Sequence, residues 1–301
     1  MDANMSYDVI IIGGSYAGLQ AAMTLGRALR NVLVIDSGKP CNRNTPYSHN
    51  FLTQDGETPH AVAAKARTQA ERYPTVNFLT GKVVGAEKGE TLFSASTDAG
   101  ELFEAKKLLF TTGIADVMPA IPGFAHCWGI SVIHCPYCHG YEMHSKPTGI
   151  IGNGDAGFEY AKMISNWSRD LTLFTNGAAT FTHIQAQKLL ANGIKLVETG
   201  IEQIIHTNGY IEQLVAGDNY KLDALYCRPV FKQHCSVPQT ILECNITDDG
   251  YIKVDDFNRT SVAGVYAAGD CISPLRSVST AVFSGTLAGS FINRELIDED
   301  F

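Results

Sequence analysis

The sequence predicts an α/β fold with two Rossmann-like dinucleotide-binding domains. A strand–glycine-turn–helix unit occurs twice along the 301 residues, and a second strand-like run follows each unit. The first unit begins with the apolar run Tyr7–Ile12 and turns at residues 13–18. The second unit begins with Thr148–Ile151 and turns at residues 152–157. Short apolar, β-branched runs that enter glycine turns are typical of buried parallel strands.

The predicted domain division inserts one domain into the other. Stretches that contain proline near residues 119–123 and 228–239 are typical of linkers. We therefore expect the first glycine turn in a discontinuous domain, residues 1–114 and 236–301, and the second in an inserted domain, residues 115–235. Two domains also suit the chain length, because one domain usually takes about 100–200 residues.

Charge and composition restrict the classes of partner. The formal net charge is −8 and the pI about 5.6, whereas nucleic acids and anionic membranes attract clustered lysine and arginine. We therefore expect no nucleic acid and no membrane among the partners. The polar start of the chain and the lack of a long apolar run predict a cytoplasmic protein. In a reducing compartment the eight cysteines, with one close C-x-x-C pair, are not expected to form structural disulfides.

The first glycine turn carries the residues expected of a phosphate-binding turn. Its pattern is Gly13-x-Ser15-x-x-Gly18, in which a serine replaces the usual middle glycine. Such a turn places a dinucleotide pyrophosphate at a helix N-terminus, where backbone N–H groups and the helix dipole favour anions. Asp36 ends the next strand, where a carboxylate can accept hydrogen bonds from ribose hydroxyls. The alternative is a plain βαβ unit with a tight turn and no ligand.

The second glycine turn matches the motif fully, with Gly152, Gly154 and Gly157, and predicts a nucleotide site of the NAD(P) type. The strand over residues 171–175 ends without an acid for a ribose 2′-hydroxyl or an arginine for a 2′-phosphate. Arg169 precedes that strand and therefore lies at its other end. Since each charge-assisted hydrogen bond contributes roughly 1.5–3 kcal/mol, use of NADP(H) or NAD(H) is doubtful, and a low-affinity site is the alternative.

Cys135 and Cys138 form the candidate redox pair, in the Cys-Pro-Tyr-Cys-His-Gly segment of residues 135–140. A C-x-x-C pair cycles easily between dithiol and disulfide, and a cysteine at a helix N-terminus has a lowered pKa that favours the reactive thiolate. His134 and His139 flank the pair. Because histidine titrates near neutral pH, both side chains suit proton transfer to or from a thiolate.

Three other interpretations of the cysteine pair stay open. The first is a zinc site built from Cys127, Cys135, Cys138 and His139. Zinc needs about four ligands and a second C-x-x-C is absent, so we expect no metal. The second is a glutaredoxin-type module, which is much smaller and has no glycine-turn motif beside it. The third is a pair of inert core cysteines, since buried cysteine behaves as a small hydrophobe.

The order of these motifs is similar to that of low-molecular-weight thioredoxin reductases. The matching positions are residues 13–18, 36, 111–113, 135–138, 152–157 and 267–270. The resemblance covers essentially the whole chain, and the combination of motifs is highly specific. The Cys-Pro-Tyr-Cys-His-Gly segment most resembles the gliotoxin-oxidoreductase branch, whose members close disulfides in small dithiol natural products.

The resemblance implies FAD in the discontinuous domain and a nicotinamide nucleotide in the inserted one. The residues that it implies for FAD are Gly13, Ser15, Ala17, Gly18, Asp36, Asn50, Thr112, Gly113, Gly269, Asp270 and Val278. The residues that it implies for NAD(P) are Gly152, Gly154 and Gly157. It also implies that Cys138 faces the flavin and that Cys135 attacks the substrate.

Two departures from the family pattern bear on the chemistry. The family's aspartate after the second cysteine is His139 here, which moves the acid–base work to a histidine. The family's His-Arg-Arg clamp for the NADPH 2′-phosphate is absent, which leaves either NAD(P)H or O2 as the second redox partner.

The resemblance implies an FAD-dependent thiol–disulfide oxidoreductase that interconverts a dithiol and a disulfide through Cys135 and Cys138. The expected substrate is a small-molecule dithiol or disulfide, or a thioredoxin-like protein, and the expected assembly is a homodimer. A flavin-bound redox sensor or interaction protein that switches without turnover is the alternative. Steady-state activity separates the two.

Overall fold

The computed structural model describes residues 6–301, which divide into two compact units. The first unit contains the described residues up to Arg43, Pro59–Ala115 and Phe231–Phe301, and the second unit contains Asn44–Thr58 and Asp116–Val230. The chain therefore passes between the units after residues 115 and 230, near the predicted boundaries at 114 and 235. Residues 44–58 group with the second unit, although the sequence placed them in the first domain.

Strands and helices alternate along much of the chain. The amino-terminal part contains β1 (Tyr7–Ile12), α1 (Tyr16–Arg27), β2 (Val32–Asp36), α2 (Pro59–Ala70), β3 (Val76–Thr80), β4 (Val83–Lys88), β5 (Phe93–Thr97), β6 (Leu102–Phe110) and β7 (Ile114–Asp116). The middle part contains α3 (Phe124–Cys127), β8 (Val132–Ile133), α4 (Pro136–His139), β9 (Thr148–Ile151), α5 (Gly154–Ile164), β10 (Leu171–Phe174), α6 (His183–Ala191), β11 (Lys195–Val197), β12 (Gln203–Thr207), β13 (Tyr210–Val215), β14 (Asn219–Lys221) and β15 (Ala224–Cys227). The carboxyl-terminal part contains β16 (Phe231–Gln233), α7 (Val237–Thr240), β17 (Val265–Ala267) and α8 (Val278–Asp300). Across residues 6–301, none of the helices combines the length and the apolar composition needed to cross a membrane.

The first unit is built on a seven-stranded sheet in the order β3-β2-β1-β6-β5-β4, with β17 also paired to β6. Strands β1, β2, β3, β6 and β17 run parallel, whereas β5 pairs antiparallel with both β6 and β4. Because parallel strands end at one edge of a sheet, Gly13, Asp36, Thr111 and Ala268 come to the same edge. The core beneath that edge is apolar and contains the buried Ile10, Leu33, Leu108 and Val265.

The second unit is built on a five-stranded parallel sheet in the order β11-β10-β9-β15-β8. Strands β12 to β14 form a separate antiparallel sheet in this unit. Strand β16, which belongs to the first unit, pairs with β7 in a two-stranded sheet. The second glycine turn follows β9 at the carboxyl edge of the parallel sheet, and the cysteine pair follows β8 at the same edge. Both predicted strand–turn–helix units are present, and the predicted fold class is confirmed.

Helix α8 lies close against α1 in the first unit because a small residue lets the two backbones approach. A Cβ atom at Gly285 would lie 2.2 Å from the carbonyl oxygen of Ala17. This packing brings Ser284 of α8 beside the loop after β17, where its hydroxyl oxygen accepts a hydrogen bond from the N–H of Gly269 at 3.0 Å. The last helix therefore supports the carboxyl edge of the first sheet.

Candidate active site

The first glycine turn, between β1 and α1, approaches the end of β6 so closely that two of its positions require glycine. Gly13 has a φ of 109°, and a Cβ atom there would lie 2.5 Å from the carbonyl oxygen of Thr111. A Cβ atom at Gly18 would lie 1.9 Å from the carbonyl oxygen of Gly13. Both distances are far inside van der Waals contact, so any side chain would push the turn apart.

Ser15 stands at the usual middle glycine and has an ordinary extended backbone. Its φ of −91° and ψ of −163° are open to any residue, so serine causes no strain. Ser15 is the N-cap of α1, yet its side chain accepts no capping hydrogen bond from residues 6–301. The amides at the start of α1 are therefore not satisfied by this side chain and suit an anion.

Asp36 lies at the end of β2 and contacts the first glycine turn. One carboxylate oxygen accepts a hydrogen bond from the N–H of Gly14 at 3.0 Å, and the other accepts one from the N–H of Gly38 at 3.1 Å. The side chain is partly open to solvent. A carboxylate held in this way still has lone pairs for ribose hydroxyls, as the sequence predicted.

The ends of β6 and β17 complete the site. Thr111 donates a hydrogen bond to the carbonyl oxygen of Gly13 at 2.6 Å, which ties β6 to the turn. The hydroxyl oxygen of Thr112 is buried and has no hydrogen-bond partner within residues 6–301. Gly269 has a φ of 82° and is held by Ser284. A polar ligand at this edge would satisfy the Thr112 hydroxyl, so these residues fit a dinucleotide such as FAD.

We call the set Gly13, Gly18, Asp36, Thr112 and Gly269 the dinucleotide cradle. The other residues implied for FAD are divided between the two units. Ala17 is buried in the first turn of α1, Val278 begins α8, and Asp270 is half-buried after β17. Asn50 has a φ of 60° and belongs to the second unit, not to the unit that carries the cradle. Their flavin contacts stay predictions.

The second glycine turn, between β9 and α5, is closed by its own side chains. A Cβ atom at Gly157 would lie 2.6 Å from the carbonyl carbon of Gly152, so the two ends of this turn also touch. Asn153 is the N-cap of α5, and its side-chain oxygen accepts hydrogen bonds from the N–H groups of Gly154 and Thr180, both at 2.8 Å. The start of this helix is therefore partly satisfied from within the chain.

The strand end beside the second turn lacks the acid present in the first unit. The paired strands end with Ile12 opposite Ile35 in the first unit and with Ile151 opposite Phe174 in the second. Thr175 therefore stands where Asp36 stands, and its hydroxyl donates to the carbonyl oxygen of Gly177 at 2.6 Å. The carboxylate of Glu198 accepts a hydrogen bond from the loop after β10 at 2.8 Å, which places negative charge there. Arg169 precedes β10, at the opposite edge, as predicted.

Cys135 and Cys138 lie where β8 leads into α4. The carbonyl oxygen of Cys135 accepts hydrogen bonds from the N–H groups of Cys138 and His139, both at 3.2 Å, and both thiols are partly buried. The pKa of Cys135 is lowered to about 7, chiefly because Cys138 donates a hydrogen bond to its sulfur, and the positive charge of Arg228 adds to this effect against the opposing effect of burial. Cys135 is therefore partly ionised at neutral pH and nucleophilic.

Burial changes the expected behaviour of His139. Loss of hydration lowers the pKa of His139 to about 4, although the carboxylate of Glu142 opposes the change. The sequence suggested titration near neutral pH, but the structure makes His139 neutral at pH 7 because its charged form is poorly solvated. A neutral imidazole with so low a pKa can accept a hydrogen bond from a thiol but is a weak base. His134 stacks on Trp128 with 5.8 Å between the ring centres.

Sequence analysis missed the residues that surround the cysteine pair. The guanidinium carbon of Arg228 lies 4.3 Å from the ring centre of Tyr160. The Tyr160 hydroxyl donates to the carbonyl oxygen of His134 at 2.8 Å, and Tyr226 packs edge-on against the Tyr160 ring. These residues come from α5 and β15, far along the chain from Cys135. Functional residues often follow the carboxyl ends of parallel strands, and this rule could have pointed to Arg228. It did not, because β15 was not predicted as a strand.

The zinc alternative finds no ligand set in the described part of the chain. Among residues 6–301, no three or more histidine, cysteine, aspartate or glutamate side chains are grouped so that they could hold a metal ion. Cys127, the additional ligand in that hypothesis, is fully buried and packs in an apolar cluster with Phe124 and Val132. Burial raises the pKa of Cys127, as it does for a core thiol.

A family model agrees with this arrangement. The model for pyridine nucleotide-disulphide oxidoreductases matches residues 7–285, which is most of the chain. The chain belongs to the pyridine nucleotide-disulphide oxidoreductase family. Enzymes of this family bind FAD and use NAD(P)H. The match over this length leaves no room for the glutaredoxin-type alternative.

Individual members of the family are similar to the chain over nearly its whole length. Thioredoxin reductase tcpT of Claviceps purpurea is 32% identical over 314 residues, which cover 99% of this chain and 96% of that protein. Thioredoxin reductase sirT of Leptosphaeria maculans is 30% identical, over 98% of this chain and 95% of that protein. The crystal structure of an oxidoreductase from Agrobacterium tumefaciens is 36% identical and covers 97% of this chain and 99% of that chain, with a TM-score of 0.91.

Family membership confirms the central predictions. The chain is an FAD-dependent thiol–disulfide oxidoreductase of the thioredoxin-reductase-like kind, and its resemblance to the gliotoxin-oxidoreductase type is confirmed.

Proposed function

We propose that this enzyme interconverts a substrate dithiol and disulfide at Cys135 and Cys138. The observation that carries the proposal is the paired geometry, in which a hydrogen bond from Cys138 lowers the pKa of Cys135 to about 7. A cysteine of this kind is both an available nucleophile and a good leaving group. Core cysteines differ, since burial raises the pKa of Cys271 to about 12.

The dinucleotide cradle of the first unit is the proposed FAD site. Its glycines let the backbone approach a pyrophosphate, Asp36 suits the ribose hydroxyls, and the Thr112 hydroxyl awaits a polar partner. When bound, FAD would supply a two-electron carrier between the cysteine pair and the second redox partner. The remaining FAD residues are proposed on the resemblance to family members: Ser15, Ala17, Asn50, Gly113, Asp270 and Val278.

The second glycine turn favours dithiol oxidation over NADPH-driven reduction. Asn153 partly satisfies the start of α5, and Thr175 stands where a ribose-binding acid would lie. The carboxylate of Glu198, beside the loop after β10, would repel a 2′-phosphate. We therefore assign a small-molecule dithiol as the reductant and O2 as the final oxidant, and we place NAD(P)H-driven disulfide reduction second.

In the proposed direction, the oxidised cysteine pair accepts two electrons from the substrate. A substrate thiolate attacks Sγ of Cys135, so a substrate–Cys135 bond replaces the Cys135–Cys138 bond and Cys138 leaves as a thiolate. The second substrate thiolate attacks the first substrate sulfur, closes the substrate disulfide and releases Cys135 as a thiolate. His139 is neutral at pH 7 and can accept a hydrogen bond from the substrate thiol, but its pKa of about 4 makes it a weak base, so water takes the proton, with His134 as the other candidate acceptor. Reoxidation transfers two electrons and two protons to O2 and yields H2O2.

Anaerobic mixing of the holoenzyme tests the direction. A dithiol such as dithiothreitol should bleach the flavin absorbance about 100-fold or more faster than equimolar NADPH or NADH, because two missing charge-assisted contacts weaken the nucleotide by that order. In air the dithiol should be consumed with one H2O2 formed for each disulfide. Fast bleaching by NADPH would instead assign the enzyme to disulfide reduction.

Cysteine variants test the redox pair itself. Cys135→Ser and Cys138→Ser should each lower dithiol turnover by about 1,000-fold or more while the flavin stays bound, because each removes one sulfur of the exchange. Cys235→Ser, at another partly buried cysteine in the first unit, is the matched control and should retain turnover. A wild-type protein that takes up electrons once and then stops would support the redox sensor.

Substrate class, assembly and compartment are proposed on the resemblance to family members. Curated relatives are named thioredoxin reductases, so oxidised thioredoxin is the second substrate class to assay beside small dithiols. We propose a homodimer that works in the cytoplasm. The mass of the purified holoenzyme in solution checks the assembly, and a monomer at micromolar concentration would contradict it.

A further inference from the structure

Strands β8 and β15 bring a positive charge opposite the cysteine pair. The two strands run parallel, with Tyr226 opposite Ile133. Continued by two residues, this register places Arg228 opposite Cys135. The backbone at Cys135 is still extended, with φ of −111° and ψ of 110°. The positive charge of Arg228 also helps to lower the pKa of Cys135, which agrees with this placement.

The two side chains also lie on the same face of the sheet. Residues two positions apart along an extended strand point to one face. Ile133 and Tyr226 both belong to the buried cluster that contains Tyr160 of α5. Cys135 and Arg228, each two positions further on, therefore face the side on which α5 lies.

Tyr160 holds Arg228 in this position. The guanidinium carbon lies 4.3 Å from the ring centre, well inside the range of about 6 Å for a cation–π contact. The ring is itself fixed, because Tyr160 is buried and its hydroxyl donates to the carbonyl oxygen of His134 at 2.8 Å. One tyrosine thus anchors both the arginine and the residue directly before Cys135.

Arg228 is the permanent positive charge among the groups that face Cys135. The other titratable groups there are Cys138 of α4, Tyr160 of α5 and Tyr226 of β15, with His139 and Glu142 beyond them. Burial raises the pKa of both tyrosines, so both are neutral at pH 7. His139 is neutral as well, with its pKa lowered to about 4.

We propose that Arg228 is a positioning residue for the redox pair: held on Tyr160, its guanidinium stabilises the thiolate form of Cys135. The inference rests on the redox role proposed above for Cys135. A thiolate that is stabilised in the reduced pair makes the corresponding disulfide the stronger oxidant. Arg228 therefore biases the pair toward accepting electrons from substrate dithiols.

Residue-specific alkylation of the reduced holoenzyme tests this inference. The rate of iodoacetamide modification of Cys135, followed by peptide mass spectrometry against pH, should show a midpoint near pH 7 in the wild type. Arg228→Gln should move the midpoint up by about 0.5 to 1 pH unit, which slows modification roughly three- to tenfold at pH 6. Arg169→Gln, the same change at the opposite edge of the same sheet, is the matched control and should leave the midpoint unchanged.

A conservative variant and an equilibrium measurement separate charge from structure. Arg228→Lys keeps the charge and should retain most of the wild-type midpoint. In a glutathione redox titration at pH 8, Arg228→Gln should shift the equilibrium several-fold toward the disulfide, and at pH 5.5, where the thiolate is scarce, the shift should vanish. An unchanged midpoint in Arg228→Gln, or equal shifts in the glutamine and lysine variants, would overturn the inference.

The inference and the proposed function fail in different ways. If Cys135→Ser kept wild-type turnover, the proposed redox role would be wrong whatever the alkylation midpoints showed. If Cys135→Ser lost turnover while Arg228→Gln kept the wild-type midpoint, the redox role would stand and the role of Arg228 alone would be wrong.

Discussion

The two glycine turns of this chain share a backbone plan and differ in the side chains around it. Each joins a parallel strand to a helix, and in each the first glycine N–H donates to the neighbouring strand, at 2.8 Å for Gly13 and 3.1 Å for Gly152. The first helix begins at Ser15, whose side chain caps nothing among residues 6–301, whereas Asn153 caps the second helix. The same turn can therefore be left open to an anion or closed by the chain itself.

The acids are also placed differently. Asp36 ends β2, where it can bind a ribose, and the corresponding position in the second unit is Thr175. Asp155 lies in the first turn of α5, where a pyrophosphate would lie, and accepts a hydrogen bond from Gln185 at 2.7 Å. A carboxylate in that turn already gains from the helix dipole and repels phosphate. The spacing of the glycines thus specifies the backbone of the turn. The side chains that cap the helix and the nearby carboxylates decide whether a dinucleotide binds there with favourable free energy.

The largest expected difference between the turns is the loss of bound flavin when one glycine of each turn is replaced by alanine. Gly18→Ala places Cβ within 1.9 Å of a backbone oxygen in the open turn, and Gly157→Ala places it within 2.6 Å of a backbone carbon in the closed turn. Both should lower the free energy of unfolding by about 1–3 kcal/mol or more. Flavin occupancy of the purified protein should fall below about a tenth in Gly18→Ala and stay near wild type in Gly157→Ala. Equal loss of flavin in both variants would break the comparison.

Ligand-dependent melting should show a smaller but still large difference. FAD added to flavin-stripped protein at about 1,000 times its Kd should raise the free energy of unfolding by about 4.1 kcal/mol. For units of this size that corresponds to roughly 8 to 16 °C in Tm. NADPH at the same concentration should raise Tm by less than about 2 °C, because its site is closed by the chain. Equal shifts with the two nucleotides, measured by scanning calorimetry, would show that the second turn is open.

The acid at the end of β2 should matter less than the glycines. Asp36→Asn keeps the shape of the side chain and removes its charge, which should weaken FAD binding by about 10- to 100-fold. Fluorescence titration of stripped protein with FAD measures the effect. Asp8→Asn is the control, because Asp8 also accepts a backbone hydrogen bond in the first unit but lies near the amino end of β1, whereas the turn follows the carboxyl end. A similar loss of affinity in both variants would remove the special role of Asp36.

The smallest expected effect concerns the acid in the closed turn. Asp155→Asn removes the negative charge from the first turn of α5 and should strengthen NADPH binding by about two- to fivefold, because the helix dipole contributes about 0.3–1 kcal/mol. Isothermal titration with NADPH measures this change. Glu159→Gln, one turn further along α5, serves as the control and should leave the affinity unchanged. Weaker binding in Asp155→Asn would mean that Asp155 assists the nucleotide.

Local patterns account for most of the correctly predicted fold. The runs that became β1 and β9, together with the glycine turns after them, carry their structure in a few neighbouring residues. Serine at the usual middle glycine causes no backbone strain, because its extended conformation, with a φ of −91°, is open to any residue. The grouping of residues 44–58 with the second unit could not be predicted, since it depends on contacts with residues far along the chain.

The candidate site divides in a similar way. Cys135 and Cys138 were found from their spacing, because the pair acts through its two nearby sulfurs. The pKa of His139, lowered to about 4, could not be predicted, because it follows from burial by tertiary neighbours. Arg228 gave no local signal, and its position opposite Cys135 depends on β15 pairing with β8.

The amino-acid order alone determined the two strand–turn–helix units, the close cysteine pair and the missing nucleotide clamp, because each depends on residues within one turn or one short segment. Tertiary structure alone decided that Thr180 joins Asn153 in closing the second turn, that burial keeps His139 neutral and that Arg228 lies against Tyr160. The hydrogen-bond partners of a side chain, its hydration and the charges near it depend on which segments the sheet brings together. Strand order, which no short stretch of residues encodes, sets those neighbours.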